Sequence, residues 1–93
     1  MAIVKILDAA TGNGRSSTLQ NQVESERMFC FTGTIGGATI NIDLSNDGTT
    51  WFNTGAVFAT GDLTPKIVKV QDRQHMSVIV SGASGTTATV EIA

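Results

Sequence analysis

The sequence predicts an all-β fold, a single antiparallel β-sandwich or jelly-roll-like barrel of about seven to eight short strands. Three observations predict it. Apolar and polar residues alternate with a period of two wherever any period exists. Clusters of glycine, asparagine and aspartate recur between these runs, with ten glycines and one proline in 93 residues. No segment carries the i, i+3, i+4 apolar spacing of a helix. Hydrophobic residues at 41% and charged residues at 15% describe one small globular domain over residues 1–93.

The elements follow in chain order. Residues 2–7 are β-branched and apolar and form a first strand. Residues 8–15, with Gly12-Asn13-Gly14 at their centre, read as a flexible loop. Residues 17–22 form a short polar strand, and 24–27 lack a helical apolar pattern. Residues 27–34 are an aromatic strand in which Cys30, between Phe29 and Phe31, reads as a small buried residue. Gly36-Gly37 has the composition of a tight hairpin turn into residues 38–44. There Ala38, Ile40, Ile42 and Leu44 share one face, and Thr39, Asn41 and Asp43 the other. Ser45, Asp47, Gly48 and Trp51 then make a sharp structural hairpin, with the indole laid into the core. Residues 65–70 are a strand whose proline stands first, where a missing ladder donor is tolerated. Asp72-Arg73-Gln74 is a turn, and residues 76–81 and 87–92 are two strands joined as a hairpin by a glycine-bearing loop.

Three of these strands, around residues 3–7, 28–31 and 66–70, are apolar on both faces. A sandwich has one inner face per sheet, so the second apolar face calls for another partner. Oligomerisation supplies one, and makes Ile3, Val4 and Ile6 candidate subunit contacts.

Several function classes are disfavoured. A net charge of −2 with six cations offers little attraction to a phosphate backbone, so no nucleic-acid partner is expected. The longest apolar runs fall far short of the roughly 20 residues that cross a bilayer, and the first residues read as neither a secretory signal nor a transit peptide, so no membrane association is expected. A chain this short buries only roughly two thirds of its surface, which leaves little interior for a deep active site. His75 has no metal or catalytic partner at a meaningful spacing. Asp43, Asp47, Asp62 and Asp72 do not form a calcium loop, and those in turns read as backbone caps. Neither Gly12-Asn13-Gly14 nor residues 82–85 precede a helix that would hold a phosphate. No enzyme, cofactor or metal is expected.

The segment Leu44-Ser45-Asn46-Asp47-Gly48-Thr49-Thr50-Trp51-Phe52 is similar to a shortened Asp-box hairpin of sialidases, although one residue between aspartate and glycine is missing and no propeller fits in 93 residues. Residues 33–93 more closely resemble small β-sandwich structural proteins of tailed bacteriophage virions. There, a strand like 38–44 enters a Ser-x-Asp-Gly-x-x-Trp type of hairpin, and a basic residue, here Arg73, precedes a Val-Ser-Gly segment, here Val80-Ser81-Gly82. The resemblance implies a virion component present in many copies, a capsid decoration or cement protein or a head or tail module. It implies a homo-oligomer, a trimer being favoured, in contact with the major capsid protein or another virion protein and assembled in the host cytoplasm. Arg73 would then be a subunit contact or simply an exposed charge. Residues 1–24 lie outside the resemblance and could be an arm or exchanged strand. The alternative is a carbohydrate- or receptor-binding module of a tail fibre, with Trp51 stacking on a glycan.

Overall fold

The computed structural model describes residues 3–93, so Ala2, where the sequence places the start of the first strand, lies outside the described residues. Two antiparallel sheets face each other. Their strands are β1 (Val4–Ala10), β2 (Gly14–Arg15), β3 (Leu19–Gln20), β4 (Ser25–Thr34), β5 (Thr39–Ser45), β6 (Phe52–Phe58), β7 (Lys66–Val70), β8 (His75–Ser81) and β9 (Thr87–Ile92). Sheet A has the order β1-β9-β4-β7. Sheet B has the order β2-β8-β5-β6, with β3 also on β8. Because β2 and β3 pair with the two ends of β8, they act as one interrupted edge strand.

Period-two alternation builds the core. Ile40 and Ile42 of β5, Met76, Val78 and Val80 of β8, and Phe29, Val70, Val90 and Ile92 of sheet A are all buried between the sheets. The polar alternates of these strands face outward. In β1 the register slips between Lys5 and Leu7, so that Ile6 is buried and Leu7 also packs against the core.

Sheet membership corrects two hairpins expected from the sequence. The Gly36-Gly37 turn carries β4 of sheet A over to β5 of sheet B, and the loop at 82–86 carries β8 of sheet B over to β9 of sheet A. Both are arches between layers, and they pack on each other: the Gly37 N–H donates to the Ser84 carbonyl at 3.0 Å. The third expected hairpin is present, with Leu44 opposite Phe52 across β5 and β6.

The N-terminal region departs further. The loop expected over residues 8–15 is largely strand, because β1 runs to Ala10 and β2 begins at Gly14. The short strand expected over residues 17–22 shrinks to Leu19–Gln20. Rather than standing off as an arm, residues 4–20 supply an edge strand to each sheet. Asn21 explains how the second edge is secured. Only 1% exposed, it donates through Nδ2 to the carbonyls of Val23 and Val70 and exchanges backbone hydrogen bonds with Gln74 and Arg73.

Two opposed candidate surfaces

The outer faces of the two sheets differ in kind. On sheet A, Val4 lies opposite Ile92, and Met28 lies opposite Ile67. Met28 also exchanges two backbone hydrogen bonds with Ala93. This register sets Ile3, Ala93, Met28 and Ile67 side by side across all four strands. Ile3 is 66% exposed, Ile67 64% and Met28 38%. Three of the six large exposed hydrophobic residues in the described chain therefore form one continuous row. Charges border it: Lys5 pairs with Glu91 on one side, and Glu26 with Lys69 on the other, where Lys69 also reaches Glu24 at 3.1 Å.

Among the expected subunit contacts, Ile3 is on this surface. Ile6 is not, because strand alternation puts it, like Val4 opposite Ile92, on the inner side, where it is 4% exposed and Val4 half-buried. Cys30 is also corrected. It is half-buried on the outer face beside Glu91, since the alternation that buries Phe29 turns its neighbour out. Arg73 is exposed in the β7–β8 turn at φ 65°, and its backbone, rather than its side chain, makes the contacts there.

An open cavity of about 270 Å³ lies near the same end of the sandwich, lined in part by Val4, Leu19, Asn21, Val23 and Arg27. Arg27 is held in its wall by Nη1 to Asn21 Oδ1 at 2.8 Å and by Nε to the Ala93 carbonyl at 3.1 Å.

The outer face of sheet B is polar and built around Asp43. This carboxylate sits on the central strand β5, and its side chain is only 8% exposed. Its Oδ2 accepts from Arg15 Nη2 at 2.9 Å, whereas its Oδ1 and the Nη1 of Arg15 are buried without partners. Leaving such groups unmet costs about 1–3 kcal/mol each, so a half-made ion pair at this depth calls for an explanation. The Arg15 guanidinium carbon lies 4.4 Å from the centre of the Trp51 ring. Trp51 is therefore not in the core, as the sequence led one to expect, but half-buried on the outer surface. Beside it β6 swells: Asn41 faces Val57 while Asp43 faces Asn53, so four residues of β6 span two of β5. Gly55 takes a φ of 87° in this bulge, and Asn53 Nδ2 donates to Asn41 Oδ1 at 3.2 Å.

The corner at Ser45, Asp47 and Gly48 positions Trp51. Ser45 Oγ accepts from the Gly48 N–H at 2.8 Å, and Asp47 Oδ1 accepts from the N–H groups of Thr50 and Thr49 at 2.8 and 2.9 Å. The Thr50 and Thr49 amides, then the Ser45 hydroxyl, hold the Asp47 carboxyl far below its ordinary pKa. In the β6–β7 connection, Lys66 and then Thr64 lower that of Asp62, which pairs with Lys66 at 2.8 Å. His75 begins β8, half-buried, beside the corner glycine Gly48. Among the described residues, no three His, Cys, Asp or Glu side chains gather as a metal site, and no helix is long and apolar enough to cross a membrane. Sequence reasoning missed the Arg15–Asp43 pair because 28 positions separate its members, and only the two-layer topology makes them neighbours. Compared with known proteins, the chain matches no family model, no curated protein and no solved structure.

Proposed function

We propose that the protein is a structural component of a bacteriophage virion, an oligomeric capsid decoration or cement protein that works by mechanical attachment rather than catalysis. The observation that carries this reading is the apolar row Ile3–Ala93–Met28–Ile67 on the outer face of sheet A. A lone sandwich gains nothing by spanning a whole sheet with exposed aliphatic side chains, whereas a subunit seated against a second subunit buries them. The resemblance over residues 33–93 supplies the setting. In a shell many copies repeat the same modest contact, so that none need be strong, and a trimer on a threefold axis is the arrangement favoured.

The test is direct. Light scattering coupled to gel filtration should find an oligomer, and incubation with undecorated phage shells should leave the protein bound after sedimentation. A monomer that ignores shells rejects the proposal.

A further inference from the structure

The polar face of sheet B carries a second inference, independent of assembly through sheet A. The buried Asp43 Oδ1 is an acceptor without a donor, and the buried Arg15 Nη1 is a donor without an acceptor. They belong to side chains already joined through their other atoms at 2.9 Å, so both unmet groups flank one ion pair. The chemistry that completes both must donate at one point, accept at a neighbouring one, and carry no net charge, because the formal charges of Arg15 and Asp43 cancel. An anion would meet the carboxylate, and a cation the guanidinium. Two adjacent hydroxyl groups meet all three conditions. The surroundings fit the rest of such a molecule: the Trp51 ring, over which the Arg15 guanidinium now lies, offers an apolar surface to C–H bonds once Arg15 moves aside, and the Asn41 and Asn53 side-chain amides stand on the neighbouring bulged edge. Asp43, Asn41 and Asn53 stand on the paired strands β5 and β6, Arg15 reaches in from the short edge strand β2, and the braced corner presents Trp51.

We infer that Arg15, Asp43, Trp51 and Asn53 form a binding site for a neutral saccharide, recognised through a vicinal diol. Binding requires the Arg15 side chain, which is 26% exposed, to shift and admit the diol.

Trp51 is the chain's one tryptophan, so its fluorescence reports the site without labelling. Titration of the full chain with methyl α-mannopyranoside, methyl β-galactopyranoside and methyl β-glucopyranoside should give a saturable change with at least one sugar. Galactomannan, tested in parallel, separates recognition of a free glycoside from recognition of a unit within a polymer, and a response to either supports the site. Asp43→Asn should weaken binding by at least about tenfold, the scale of one lost hydrogen bond to a charged group, and Asn53→Ala by about three- to tenfold, the scale of a neutral one. Asn53 is exposed, but its Oδ1 accepts from the Gly55 N–H at 2.6 Å and its Nδ2 donates to Asn41, so a thermal melt of each variant beside the titration separates lost binding from lost folding. Absence of a saturable response to any of these probes overturns the inference, as does sugar binding that both substitutions leave unchanged. So does an ordered water bridging Oδ1 and Nη1 in a protein that ignores the sugars.

Discussion

Asp47 shows how much of this fold one side chain can organise. Its carboxylate receives the amides of Thr50 and Thr49 and the Ser45 hydroxyl, three bonds that only the ionised form fully exploits. Its pKa is therefore depressed in the folded protein, and the stability it contributes is present above its ordinary value of 3.8 and is lost as pH falls toward and through the folded value. Asp47→Asn should accordingly melt at a lower temperature than wild type at neutral pH, with the two melting points converging in strong acid; thermal melts across that range check it. Gly36 is a second point of sensitivity. Its φ is 56°, and a Cβ there would strike the Ser84 carbonyl oxygen in the opposing arch. Gly36→Ala should cost more than about 1 kcal/mol, measured by urea unfolding, whereas Gly12→Ala, in open space with no positive φ, should stay within about 0.5 kcal/mol.

At the scale of elements, most strands could be read from the sequence because period-two alternation is a local property. Residues 38–44 and 76–81 match β5 and β8 to within a residue. What could not be read was which sheet each strand joins, since a short glycine-bearing connection serves equally as a hairpin within one sheet or an arch between two. The same limit hid the polar site. Its hairpin corner was legible as Ser45, Asp47, Gly48 and Trp51, but Arg15 reaches Asp43 from an edge strand of only two residues, and that pairing exists only once β2 lies on β8. The short edge makes the ion pair a clamp. Removing one member of a buried pair costs about 3–5 kcal/mol, which the partial exposure of Arg15 reduces to about 2. Arg15→Met keeps the aliphatic stem and removes the charge, so it should lose about that much in denaturant unfolding and speed amide exchange at Ser16, whose N–H bonds the Val78 carbonyl. Arg15→Met with Asp43→Asn should cost less than the sum of the two single changes, because the double variant strands no charge.

The whole molecule is as compact as a chain of its length should be: its radius of gyration is 12.2 Å, and scaling for a folded domain gives about 12 Å. No exposed row is therefore a by-product of loose folding. Its accessible surface is 4893 Å², and a stable contact takes about 800 Å² from each partner, roughly one sixth of that total. One outer sheet face is the natural unit of that size, and the apolar face of sheet A presents Ile67, 64% exposed, on its edge strand β7. Ile67 faces away from the core while Val68 and Val70 fill it, so a charge at position 67 leaves the interior of the sandwich alone. Ile67→Glu should therefore fold with wild-type circular dichroism but shift the mass found by light scattering from an oligomer to a single chain. It also stands next to Met28, so burying the new carboxylate against a partner's apolar row would be opposed by desolvation. Thr32→Glu, on the same outer face but four residues along β4 from Met28, tests whether the row itself carries the contact. If Ile67→Glu leaves the oligomer intact while Thr32→Glu dissolves it, the contact lies farther along sheet A and the row is not its centre. If neither changes the mass, the subunits meet through another surface altogether.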